Sequence, residues 1–198
     1  MLVGIMEDTW GRNQGRLEMR LKRENSAGLV IDIQGKLFPH MDQKEAFLNK
    51  CTTLIEGLKV LDVPLVITEQ YPKGLGATVG DIAELVAKDP LIEKITFSCC
   101  DEPAVMQNAA LQERKIIIIC GIEAHVCVMQ TVVDFLAAGY TAVVVEDCIS
   151  SRNQEDKRVA VERMRVEGAV ITTCESILFE LARVAGTDEF KAISRLVK

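Results

Sequence analysis

Six short apolar runs alternate with stretches whose apolar residues recur at helical spacing, and few folds accept that alternation. "AGLVIDIQ" (27–34), "PLVITEQ" (64–70), "IEKITFS" (92–98), "KIIIICG" (115–121), "TAVVVEDC" (141–148) and "AVITT" (169–173) are the runs. The first, fourth and fifth are rich in β-branched residues and continuous rather than alternating, as strands buried on both faces must be. Between them, 41–61, 79–89, 102–114, a pattern from His125 to Gly139 and 154–167 read as helices, with two more at 175–185 and 187–197. Strand-helix alternation over the whole length predicts one parallel sheet covered on both faces, a three-layer α/β/α domain. The expected class is α/β: a doubly wound, six-stranded parallel sheet of order 3-2-1-4-5-6.

Local punctuation supports these boundaries. Gly139 and Gly168 each follow a helical run and precede a strand, where a helix C-terminal glycine belongs. Ser151 with Gln154 matches a capping box for the next helix. Pro103 suits the first turn of the 102–114 helix. Residues 1–18 differ, being polar and turn-rich with the single tryptophan, Trp10. They read as an N-terminal extension, and 19–198 as the one folded domain.

Composition excludes several classes of function. A net charge of −6 argues against a nucleic-acid partner, which needs a basic face. No apolar run approaches the roughly 20 residues of a membrane span, so no membrane partner is expected. Seven cysteines without a C-x-x-C pair, and no export-signal pattern, suggest free thiols in a reducing compartment, hence a cytoplasmic protein. Two histidines, His40 and His125, leave little from which to build a catalytic metal site.

Ligands of open parallel sheets bind beyond the carboxyl ends of the strands, near the point where strand order reverses. That rule selects Asp32 and Gln34, Glu69 to Tyr71, Lys94 to Phe97, Gly121 to Cys127, and Asp147 with Cys148. Asp32 interrupts an apolar strand, where a carboxylate is costly without a partner; a cap or a structural ion pair would also account for it. Cys127 falls at a helix start, where the helix dipole and free N–H groups favour a thiolate. A packed, inert thiol would equally suit that position. Lys94 read alone is an ordinary surface lysine. With strand four beside strand one, Asp32 and Cys127 flank one crevice, and Lys94 supplies a balancing cation.

"VIDIQGKL", "EKITFS" and "CGIEAHVCV" together resemble the isochorismatase-like cysteine hydrolases, a family that includes nicotinamidases and N-carbamoylsarcosine amidohydrolase. The resemblance runs from about residue 19 to 190, and "TEQYPKGLG", "GIEAHVC" and "SSRNQEDKRVAVERM" point to the isochorismatase domain-containing branch. It implies the α/β/α fold and an Asp–Lys–Cys triad. Asp32 would be the general base, Lys94 the cation that lowers the thiol pKa, and Cys127 the nucleophile. It also implies a cis Ile122–Glu123 bond that aims the N–H groups of Glu123 and Cys127 at one point, an oxyanion hole.

Phe38, Tyr71 and His125 are the further candidates for substrate binding, and Cys148 is the only other thiol placed near the crevice. Nicotinamidases bind a metal after their second strand, where this chain has "TEQYPKGLG"; siderophore-pathway isochorismatases lack the cysteine. Neither name transfers, and neither metal nor cofactor is expected. The expected activity is hydrolysis of a small amide-like or related carbonyl substrate by a homo-oligomer, dimer or larger. The rival readings are a partner-binding scaffold of the same fold with little turnover, and a redox-responsive thiol protein.

Overall fold

The computed structural model describes residues 20–198; the expected extension 1–18, with Trp10, lies outside the described residues. In chain order the regular elements are β1 (Ser26–Ile31), α1 (Lys44–Val60), β2 (Leu65–Gln70), α2 (Pro72–Leu75), α3 (Gly80–Leu85), β3 (Leu91–Lys94), α4 (Pro103–Met106) and α5 (Ala109–Gln112). They continue with β4 (Ile116–Ile122), a π-helical turn (Ala124–Val128), α6 (Met129–Ala137), β5 (Thr141–Ser150), α7 (Gln154–Glu167), β6 (Val170–Thr172), α8 (Cys174–Ala182) and α9 (Asp188–Leu196). The strands form one sheet in the order β3-β2-β1-β4-β5-β6, every neighbouring pair parallel. Fold class and strand order are those expected.

The isoleucine run explains how both faces are filled. Ile116 and Ile118 join the layer packed by α1, α3, α8 and α9, whereas Ile117 and Ile119 join the layer packed by α4 to α7. Successive side chains of a strand point to opposite faces, so a strand covered on both sides shows no polar alternation. Each such side chain contributes about 1.5–3 kcal/mol when fully buried. The core is therefore two apolar layers separated by the sheet.

Some boundaries differ from the expected ones. The 102–114 helix divides into α4 and α5, because the Asn108 side chain accepts from the Ala110 N–H at 3.0 Å and starts a new turn. The cap of α7 is Asn153, which accepts from Glu155 N at 2.9 Å, in place of the expected Ser151–Gln154 box. Gln154 is already helical, so only its immediate neighbour can reach the free N–H groups. Gly139 and Gly168 do follow their helices with positive φ, 80° and 111°.

Gly121 sets how closely the two central strands approach. It pairs with Ile31 where β4 runs beside β1, and its φ is 137°. A Cβ there would collide with the Ile31 carbonyl oxygen, so only glycine lets the two strand ends come this near. That proximity brings the turn after β4 next to the residue that succeeds β1.

Candidate active site

Asp32 immediately follows β1 and adopts φ 53°, a left-handed conformation that aspartate tolerates better than most residues. Its side chain is fully buried, with both oxygens engaged. Oδ1 accepts from the Thr68 hydroxyl of β2 at 2.7 Å, and Oδ2 accepts from the Lys94 ammonium at 2.6 Å. Lys94 ends β3, opposite Gln70 of β2 in the parallel register. Its remaining protons go to the carbonyls of Thr96 at 3.0 Å and Phe97 at 3.2 Å. An ammonium has three donors, so this one is fully satisfied in a dry site. Burial pulls the Lys94 pKa down, but Asp32 and the neighbouring thiols Cys99 and Cys127 outweigh it, and the net shift is upward. Lys94 therefore stays charged.

Cys127 lies in the π-helical turn with 4% of its surface exposed, and its thiol donates to Gln70 Oε1 at 3.2 Å. Here the electrostatics reverse a sequence expectation. Burial first, and then the Asp32 charge, push the Cys127 pKa well above the ordinary thiol value, with Lys94 only partly opposing them. Desolvation outweighs the helix start because the charge of a thiolate would have no water. The Cys127 side chain thus rests as a neutral thiol beside a buried carboxylate.

The expected cis bond between Ile122 and Glu123 is corrected: no peptide bond among the described residues is cis. The trans form is favoured by about 3 kcal/mol outside proline. Gly121 and the π-helical turn redirect the chain instead, with Val126 and Val128 donating to the Glu123 carbonyl at 3.1 and 3.2 Å. Cys127 remains in a first turn, where N–H groups lack intrahelical partners.

The other candidates separate. Tyr71, half-exposed, follows Gln70 directly, donates its N–H to Lys94 O at 2.8 Å and borders a cavity of about 310 Å³ that Lys94, Ile95 and Glu102 also line. Phe38 belongs to the α1-side layer and packs against Phe47, ring centroids 6.4 Å apart. His125 holds the turn in place: Nδ1 lies 2.9 Å from Ser151 Oγ and 3.5 Å from Glu123 Oε2, while Arg152 pairs with Glu123 Oε1 at 2.7 Å. Ser151 thus serves this turn and lies two residues before the α7 cap, Asn153. Cys148 packs among Cys51 and Cys174 in the α1-side layer, away from the triad. Cys99 takes its place, its sulfur 3.9 Å from Thr68 Oγ1 and its pKa pushed up by burial to about 11.

Sequence reasoning places Gln34 and Gln70 at strand ends without giving either a role, and misses Thr68. Buried Gln34 clamps the Gln70 backbone, accepting from its N–H at 2.8 Å and donating to its carbonyl at 3.0 Å. The available signal is polarity at the end of an apolar strand, "VITEQ". Glu69, near the end of β2, is also committed: its Oε1 accepts from Thr78 N at 2.6 Å and Thr78 Oγ1 at 2.7 Å. Among the described residues, no group of three or more His, Cys, Asp or Glu side chains is arranged to hold a metal ion. A cavity of about 820 Å³, bordered by α1, β5 and α7, includes none of Asp32, Lys94 and Cys127.

Comparison with known proteins matches residues 26–176 to the isochorismatase domain. This chain belongs to the isochorismatase-like hydrolase family. It is 39% identical to isochorismatase family protein 1B of Dictyostelium discoideum, over 88% of this chain and 87% of that one. A solved structure named MAR1 ribonuclease, from Caenorhabditis elegans, superposes with TM-score 0.84 at 36% identity, covering 90% of this chain and 92% of that one. The YcaC product of Escherichia coli, described as an octameric hydrolase of unknown specificity, superposes at TM-score 0.85. At 23% identity, over 90% of this chain and 89% of that one, it speaks to the fold alone. Asp32, Lys94 and Cys127 all lie within the matched residues.

Proposed function

We propose that this member of the family is a cysteine-dependent hydrolase of a small amide-like or related carbonyl substrate, probed first with amides and carbamoyl compounds. The observation that carries the reading is the buried Asp32 carboxylate, held by Lys94 and Thr68 while it acts on the Cys127 thiol. Asp32 takes the Sγ proton as Sγ bonds to the substrate carbonyl carbon. With the Ile122–Glu123 bond trans, the Cys127 N–H is the remaining candidate to hold the resulting oxyanion, such a donor being worth about 3 kcal/mol. The C–N bond then breaks, the nitrogen leaves with the proton from Asp32, and a thioester remains. A water gives a proton to Asp32 as its oxygen attacks the thioester carbonyl. Sγ leaves and recovers that proton, so acid and amine are the products.

Lys94 is assigned to holding the Asp32 carboxylate in place and balancing its charge, a role its three hydrogen bonds suit. Tyr71 lines the cavity beside Lys94, and His125 braces the turn that carries Cys127 through Ser151 and Glu123. A homo-oligomer fits the exposed apolar side chains Tyr71, Ile95 and Phe97 beside the site, and free thiols throughout fit a cytoplasmic setting. The ribonuclease name of the C. elegans relative is not carried to this chain. Its net charge is −6, and the lysine that meets Asp32 is buried and already paired.

A panel of small amides, carbamoyl compounds and an RNA oligonucleotide, assayed with the native chain and Cys127→Ala, tests the reading. Amide or carbamoyl turnover that falls to background in Cys127→Ala, with a mass increment on Cys127 in trapped native protein, is the expected result. Turnover untouched by the substitution, or cleavage of RNA alone, would sink it.

A further inference from the structure

Gln70 sits where the resting thiol has a choice of acceptors. Its Oε1 accepts from Cys127 Sγ at 3.2 Å, and its Nε2 donates to Ile95 O at 3.3 Å, which fixes the amide with oxygen toward the sulfur. Its backbone is held at two points by Gln34, itself fully buried, whose Nε2 also donates to Gly76 O at 2.6 Å. Four hydrogen bonds thus hold this one glutamine, three of them apart from the contact with sulfur.

We propose that Gln70 is a positioning residue that keeps the Cys127 proton on sulfur in the resting protein and yields that place when substrate enters.

The argument is one of competing acceptors. Asp32 has both oxygens occupied, by Thr68 and by Lys94, and keeps capacity for a further donor. A neutral thiol has one proton, for which Gln70, at 3.2 Å, competes with Asp32. An acceptor that bonds the protonated form stabilises that form, and its removal makes the thiolate easier to reach. Substrate entering against Sγ displaces the amide oxygen and leaves Asp32 as the nearest acceptor. Between substrates, the nucleophile stays protonated and poorly reactive toward stray electrophiles, which attack thiolates. The titratable and charged groups around the thiol are Asp32 after β1, Lys94 at the end of β3 and Cys99 beyond it. Glu123 and His125 lie in its own turn and are tied to Arg152 and Ser151. Gln70 is the member of this set that does not titrate.

The inference takes its meaning from the nucleophilic role of Cys127, but its test reads the thiol alone and needs no substrate. The full chain, Gln70→Met and Gln70→Asn are treated with iodoacetamide from pH 6 to 10, and S-alkylation of Cys127 is timed by peptide mass spectrometry. In that reaction Sγ displaces iodide and the thiol proton is lost to base. Methionine removes the acceptor; asparagine keeps an amide but withdraws it by one methylene. Both should alkylate roughly 3- to 10-fold faster at neutral pH, the range one modest hydrogen bond supports, with the pH profile moved to lower pH. Cys51, fully buried on α1, reports in the same digest whether a variant has unfolded. Unchanged or slower alkylation of Cys127 in a variant whose Cys51 stays protected would overturn the proposal. If no amide or carbamoyl compound is turned over but the profiles move as stated, the proposed function fails and the role of Gln70 stands.

Discussion

The Lys94 ammonium lies 2.6 Å from Asp32 Oδ2, and neither side chain is exposed at all. Two opposite charges from strands that are not neighbours, β1 and β3, meet across the end of β2. Such a pair is costly to desolvate and costlier to break, because deleting one partner strands the other in a dry site. This one also carries the proposed chemistry, since Asp32 acts on the thiol that Lys94 partly offsets.

Lys94→Met and Asp32→Asn should therefore each cost stability as well as turnover. About 3 kcal/mol is expected for each, a drop in Tm of roughly 6–12 °C in a chain this size. The double variant should be more stable than the sum of the two losses predicts, and no less active than the worse single. Calorimetry on the four proteins checks this; additive stability losses would show that the two charges do not depend on each other.

Alkylation and turnover should part company in Asp32→Asn. The carboxylate raises the Cys127 pKa, so its removal lets the thiol ionise more readily, yet it also removes the base. Iodoacetamide should modify Cys127 faster than in the native chain at neutral pH while hydrolysis falls by roughly 100-fold or more. Slower alkylation in a folded Asp32→Asn protein would contradict the electrostatic account of the site.

Alkaline pH should destabilise the fold through its buried thiols. Burial raises the Cys99 pKa from 9.0 to about 11, so the neutral thiol is favoured in the folded state. A raised folded pKa contributes stability that is fully present below the unfolded value and is lost as pH climbs through the folded one. Urea midpoints should accordingly fall between about pH 9 and 11, and less steeply in Cys99→Ala. An identical slope in the variant would mean that Cys99 ionises as freely folded as unfolded.

Gly121→Ala should be among the most damaging small substitutions in the chain. With φ 137° and the Ile31 carbonyl in the path of any Cβ, β4 would have to move away from β1. A loss of at least about 3 kcal/mol is expected. Activity should fall with it, because the same displacement separates the Cys127 turn from Asp32. Denaturation curves and Cys127 alkylation together check the claim; a stable, fully active Gly121→Ala protein would refute it.

The range of each interaction decides how much of the molecule is legible in its sequence. Strand and helix positions come from periodicity within a few residues, so six runs such as "KIIIIC" and the helical stretches between them are readable, and with them the layered sheet. Short-range competition blurs the boundaries, as where Asn153 rather than Ser151 caps α7. Asp32, Lys94 and Cys127 are visible as a polar residue in an apolar strand, a strand-end lysine and a thiol at a helix start. Their reading as one site comes from the family resemblance and from the rule that ligands bind where strand order reverses.

Only the tertiary structure decided the state of that site. Thr68 and Gln70 reach it from β2, and Gln34 from after β1, through hydrogen bonds between residues 36 to 57 positions apart, which no local pattern encodes. The helix start and nearby lysine suggested an easily ionised thiol. Burial set the opposite direction, because desolvation depends on everything packed around a group and not on the residues beside it in the chain.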